Sequence, residues 1–180
     1  MSAISLTVTV LGTGTMGQGI AQVAAQSGHT ARLYDVADGR ATAAVQAIAA
    51  QLEKLVGKGK ITADLRAGTL NRLSAATSAK DACAGADVVI EAVPEDMALK
   101  VAVLEAVLPS AARGAIIASN TSSLSITELG ARLKAPERTV GLHFFNPPPV
   151  MELVEVVRGL GTSEDTLARA LAFVKGLGKT

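Results

Sequence analysis

Only two histidines occur in these 180 residues, and one of them keeps company that could do chemistry. His143 lies in Gly141-Leu-His-Phe-Phe-Asn-Pro, 24 residues after Ser119 and 12 before Glu155. A hydroxyl is too weak an acid to be oxidised without a base, and imidazole is the side chain that titrates nearest neutrality. A carboxylate on the far ring nitrogen would fix the tautomer and stabilise the charged ring. Glu152 and Glu155 both sit on one alternating segment, and one of the two is expected to be merely solvated. His29, in the turn after Gly28, is expected at the surface.

A second constellation lies near the N-terminus. Gly12-Thr-Gly14-Thr-Met16-Gly17 follows a β-branched run, Leu6–Leu11, and opens a helix-compatible stretch. Such a loop binds dinucleotides: the first glycine allows the tight turn, and the second lets the backbone approach a pyrophosphate. The third lets helix and strand pack closely, while the helix N-terminus turns its unpaired N–H groups to the anion. Asp35 closes the next strand 18 residues past Gly17, where an acidic side chain would bond the ribose hydroxyls and repel a 2′-phosphate. That favours NAD over NADP, with Arg40 nearby as the one opposing charge. Lys54, Lys58 and Lys60, near the end of a long helix, either complement its dipole or supply point charges for phosphates.

These residues need elements to hold them. Strands are expected at Leu6–Leu11, Ala31–Tyr34, Leu73–Thr77, Asp87–Val93, Ala115–Ser119, Thr139–Phe144 and Met151–Val157. Helices are expected over 15–27, about 38–57, Thr62–Leu70, Met97–Leu108, Ile126–Leu133 and Ser163–Gly178, with Thr62 and Ser163 as caps. Their alternation implies an α/β fold with a doubly wound, mostly parallel sheet covered on both faces. The length suits one domain over 1–180. Hydrophobic residues make up 49%, much of it in 33 alanines, and the formal net charge is +1. A disordered tail and a nucleic-acid binder are therefore excluded. Cys83 is the single cysteine, which points to a reducing compartment. Met1-Ser-Ala-Ile-Ser carries no basic leader, and no apolar run approaches a membrane span, so a soluble, cytoplasmic protein with no membrane partner and no metal is expected.

Four segments go beyond a generic dinucleotide unit: Glu91-Ala-Val-Pro-Glu95-Asp, Ser119-Asn-Thr-Ser122-Ser-Leu, Gly141-Leu-His143-Phe-Phe-Asn146-Pro and Met151-Glu-Leu-Val-Glu155-Val. In this order the chain resembles the N-terminal, Rossmann-type NAD-binding domain of the 3-hydroxyacyl-CoA dehydrogenases, closest to the bacterial 3-hydroxybutyryl-CoA branch. The resemblance implies NAD-dependent oxidation of an (S)-3-hydroxyacyl-CoA, in fatty-acid β-oxidation or short-chain acyl-CoA metabolism. It implies that His143 is the base, Glu155 its partner, and Ser122 the residue touching both substrate and nicotinamide. Glu95, Lys100 and Asn146 then line the nicotinamide side of the cofactor, and Lys58, with Lys54 beside it, holds coenzyme A. Gln51 stands where the family often has a serine. Glu91 is read as a strand-end carboxylate without a role.

In the family an all-helical domain follows, closing the cleft and forming a homodimer. This chain stops at Thr180, about where that domain would begin, so it is expected to be the cofactor domain of a longer enzyme with that domain absent. Mean hydropathy of +0.37 fits an uncovered apolar face. Two other readings stay open: a gulonate-type dehydrogenase of a small hydroxy acid, and a non-catalytic NAD-binding module.

Overall fold

In a computed structural model, which describes residues 5–180, the β-branched run ahead of the glycine loop is strand β1, Thr7–Leu11. Met1–Ile4, most of the segment read above as lacking a basic leader, lie outside the described residues. The chain continues through α1 (Thr15–Gln26), β2 (Thr30–Tyr34), α2 (Arg40–Gly57), α3 (Ala63–Leu70), β3 (Leu73–Ala75) and α4 (Ala79–Cys83). The second half runs β4 (Val88–Glu91), α5 (Met97–Val107), β5 (Ile116–Ser119), α6 (Ile126–Arg132), β6 (Thr139–Phe144), β7 (Val154–Arg158) and α7 (Glu164–Gly176). The strands form one sheet in the order β3-β2-β1-β4-β5-β6-β7. All neighbours are parallel except β7, which runs antiparallel to β6. The first six follow the doubly wound order, whose direction reverses between β1 and β4.

Alternation along the strands feeds two cores. Val8 and Val10 of β1, Val88 and Ile90 of β4 and Ile116 of β5 pack with Ile20, Ile48, Leu52 and Phe173 on the α1, α2 and α7 face. Leu11, Val89 and Ile117 pack with Leu104, Val107 and Leu129 on the α5 and α6 face. Glu91 is two residues beyond Val89, so period-2 alternation sends it to the α5 side as well.

Local chemistry sets the helix starts. Side chains of Thr62, Ser78, Asp96, Ser125 and Ser163 accept the N-terminal amides of α3, α4, α5, α6 and α7. The expected caps Thr62 and Ser163 are among them. Helix α1 differs: it starts at Gly14 with no side-chain cap, leaving its first amides to another acceptor.

Three expectations need correction. The last strand begins at Val154, not Met151, because Val150 and Met151 instead fold back in a turn, donating their N–H groups to the Pro147 carbonyl. Helix α4 was missed, being only five residues long and too short for a periodic signal. His29 is buried, at 5% exposure, with its Nδ1 accepting the Leu6 N–H and its ring tilted against Phe173. A turn residue was expected at the surface, but α7 returns across this end of the sheet and covers it.

The close approach of α1 to β1 rests on Gly17, where a Cβ would fall on the Gly12 carbonyl oxygen, while one at Gly14 would meet nothing within 4 Å. Gly12 itself has φ +92°, open to glycine at little cost. Gly17→Ala should therefore lower the melting temperature, overpacking costing ~1–3 kcal/mol, whereas Gly14→Ala should melt with the wild type. Equal melting of all three by calorimetry would contradict this packing.

Candidate active site

The site is built at the carboxyl ends of the strands. A cleft of about 390 Å³ is lined by Gly12–Met16, Asp35, Val36, Arg40, Ala92–Pro94, Leu99 and Val103. At one end Asp35 is locked in place. Its Oδ2 accepts the Thr13 N–H (3.0 Å) and hydroxyl (2.7 Å), and its Oδ1 accepts the Ala37 N–H (3.1 Å). Arg40 stands 4.0 Å from it, largely in solvent. Burial pushes the Asp35 carboxyl upward, but these hydrogen bonds and Arg40 outweigh it and hold the group below its ordinary range. The result is a fixed carboxylate beside an uncapped helix N-terminus, with the exposed Val36 and the apolar Leu99 and Val103 as walls. Those residues fit a dinucleotide: amides for the pyrophosphate, an acceptor for ribose hydroxyls, and apolar walls for a base.

A second cleft, about 350 Å³, shares Met16, Ala92 and Val93 with the first and is otherwise lined by Glu95, Asn120, Ser122 and His143–Asn146. The antiparallel register of β6 and β7 sets His143 directly opposite Glu155. Their side chains meet at 2.8 Å, Nδ1 to Oε2, while Phe145 packs tilted on the imidazole at 4.5 Å between ring centroids. With Nδ1–H donated to Glu155, Nε2 keeps its lone pair for a substrate proton. Glu152, the other candidate, is exposed.

Ser122 is exposed in this cleft, and its segment is tied on two sides. Glu95 Oε1 accepts the Ser122 N–H (3.1 Å) and the hydroxyls of Thr121 and Ser123. Asn120 Oδ1 accepts the Phe144 N–H (2.9 Å), next to His143. Burial raises the Glu95 carboxyl, yet the Thr121 hydroxyl and the Lys100 charge outweigh it and hold it low. Asn146 is exposed and lines the same cleft.

The remaining expected residues are placed differently. Lys100, read as lining the cofactor's nicotinamide side, is fully buried: its ammonium bonds both oxygens of Glu91 (2.9 and 3.0 Å) and lies 3.2 Å from Glu95 Oε2. What faces the cleft from this group is Glu95, which Lys100 contacts from behind. Glu91, given no role above, is the acidic half of that pair. Lys54 lies in the last turn of α2 and Lys58 is its C-cap; both are exposed, and neither lines the two clefts. Thr13 and Val36 were also missed; the signal for Thr13 was its place between two glycines with a carboxylate expected opposite. Among the described residues no group of His, Cys, Asp and Glu could hold a metal ion, and no helix is long and apolar enough to cross a membrane.

Comparison with known proteins agrees with this geometry. The sequence pattern described as 3-hydroxyacyl-CoA dehydrogenase, NAD binding domain, matches residues 7–180. A 3-hydroxyadipyl-CoA dehydrogenase of Escherichia coli is 44% identical over 173 residues, covering 96% of this chain and 36% of the relative. A probable 3-hydroxybutyryl-CoA dehydrogenase of Bacillus subtilis is 43% identical, covering 96% and 60%. The crystal structure of an (S)-3-hydroxybutyryl-CoA dehydrogenase from Ralstonia eutropha superposes with a TM-score of 0.92 at 44% identity, covering 98% of this chain and 62% of that one. The chain thus spans between about a third and two thirds of the length of these relatives. With its glycine loop, locked Asp35 and His143–Glu155 pair, it belongs to the 3-hydroxyacyl-CoA dehydrogenase family and corresponds to that family's NAD-binding domain.

Proposed function

We propose that residues 1–180 form one domain, the cofactor-binding part of an NAD-dependent dehydrogenase of (S)-3-hydroxyacyl-CoA, acting in β-oxidation or short-chain acyl-CoA metabolism. The observation that carries this reading is the 2.8 Å His143–Glu155 pair set beside Ser122 in a cleft that runs into the glycine loop. NAD, when bound, supplies the hydride acceptor. His143 Nε2 takes the 3-hydroxyl proton as the C3–H bond breaks, and Glu155 stabilises the imidazolium that results. Ser122 and Asn146 orient substrate and nicotinamide, and Glu95 keeps Ser122 in place. Asp35 reads the adenosine ribose. Lys58 and Lys54 offer exposed cations to the phosphates of coenzyme A.

The apolar side chains Val150, Met151, Leu153, Val157 and Leu160, exposed on and around β7, support docking of a helical domain that completes the acyl pocket and pairs two copies. Cys83 is buried, and burial pushes its thiol up to about 11. With a single cysteine the chain has no internal disulfide to form, which suits a reducing compartment such as the cytoplasm.

The chain should bind NADH more tightly than NADPH, and Asp35→Ala should narrow the gap, losing ~1.5–3 kcal/mol of a charge-assisted hydrogen bond. Because the Asp35 pKa is depressed, the preference should hold from neutrality down to about pH 4 and fade only as pH drops through the depressed value. Equal affinities at pH 7, by fluorescence titration, would refute the assignment. In the enzyme with its helical domain, His143→Gln should cut kcat by ~10²–10⁴ with NADH binding retained, and Glu155→Gln by less. A near-normal rate for His143→Gln would mean another base. The 180-residue chain alone should bind NADH yet reduce acetoacetyl-CoA poorly, since a single wall neither orients the acyl group nor excludes water. Efficient turnover by the isolated chain would show that its site is complete.

A further inference from the structure

Glu91 and Lys100 are each 0% exposed, and neither touches the cleft directly. A buried ion pair is costly to form and is an uncertain source of stability, so its connections matter more than its existence. Here every polar atom is engaged. Glu91 Oε1 accepts the Val93 N–H (2.6 Å) and Lys100; Oε2 accepts the Ser119 hydroxyl (2.6 Å) and Lys100. Lys100 also reaches the Val93 carbonyl (3.3 Å) and Glu95 Oε2. From Glu95 the chain of contacts passes to Thr121, the Ser122 N–H and Ser123. One continuous path thus joins the end of β4, the first turn of α5, the end of β5 and the segment that carries Ser122.

We propose that Glu91 is a positioning residue for the nicotinamide end of the site: by fixing Lys100 it sets Glu95, and through Glu95 the segment 120–123. The inference rests on the cofactor reading above and adds to it a residue outside both clefts. Only a carboxylate serves at this position. An amide in its place would set an N–H₂ group about 3.0 Å from the Lys100 ammonium, donor against donor, at the Oε2 site. A turned amide would meet the Val93 N–H and Lys100 instead. Glu91→Gln therefore moves Lys100, and Glu95 loses its fixed partner.

The test separates positioning from general loss of structure. In the 180-residue chain, Glu91→Gln should weaken NADH binding about tenfold while affinity for ADP, which carries only the adenine half, stays within about twofold. Thr121→Val removes, at the other end of the path, the hydroxyl that donates to Glu95 and accepts the Leu124 N–H, and should give a similar loss. Since Glu91 and Thr121 share no hydrogen bond, independent effects would multiply to about a hundredfold, whereas a shared path leaves the double variant near tenfold. Hydrogen exchange gives a readout without cofactor. The Ser122 and Leu124 amides should exchange faster in Glu91→Gln, and the Thr13 amide, held by Asp35, should not. If Glu91→Gln is recovered unfolded, Glu91→Asp keeps the charge, withdraws it by one methylene, and carries the same measurements. Equal weakening of NADH and ADP, multiplicative losses, or unchanged Ser122 and Leu124 exchange would overturn the proposal. A wild-type chain that bound no NADH would overturn the cofactor reading instead, leaving the exchange experiment to decide the path itself.

Discussion

Strands β1 and β4 run side by side and parallel, but the chain leaves them toward opposite faces of the sheet. Helix α1 turns to the face it shares with α2 and α7, and α5 turns to the face it shares with α6. The two exits cannot close over each other, so a crevice opens at the carboxyl edge between them. Every residue assigned to cofactor or catalysis, except the α2 lysines, stands on or next to a loop leaving that edge. The glycines serve this geometry: Gly17 lets α1 approach β1 closely enough for its uncapped N-terminus to face the crevice.

The two ends of the crevice are made rigid by different means. At the adenosine end a carboxylate is locked by three hydrogen bonds from its neighbours, and these hold it ionised although only 11% of its side chain is exposed. At the nicotinamide end the charges go inward. Burial raises the Glu91 carboxyl, with Lys100, Ser119 and the Val93 amide pulling the other way. That pair has no exit to water, and its remaining contact, Glu95, is the one that reaches the cleft. An exposed ion pair would be loosened by solvent and salt, whereas this one holds a single arrangement.

The His143–Glu155 pair depends on a third device. Among the described residues β7 alone runs antiparallel to its neighbour, and its reversal puts a side chain from a later segment directly across from His143. Cross-strand partners lie within ordinary side-chain reach, so Glu155 meets the imidazole without either residue leaving its strand. The imidazole is thus oriented by sheet register, a stiffer support than a loop.

Much was legible in the chain itself, because some signals are local. β-Branched runs, Gly12-x-Gly14-x-x-Gly17 and Asp35 carry their own geometry, and the caps at Thr62 and Ser163 require only neighbours three residues away. The likeness of four ordered segments to a known family pointed to His143, Glu155 and Ser122. What local signals could not carry was burial and pairing across distance. His29 looked like a turn residue until α7 covered it, and Lys100 looked like a cleft residue until Glu91, at the end of another element, took its charge inward. Between Glu152 and Glu155, residue chemistry alone did not choose; register did, since only one of them lies opposite His143. Residue types and short spacings therefore determined which chemistry was available, and tertiary packing decided which charges face the cleft and which hold it together, because desolvation and cross-strand contact exist only once distant segments meet.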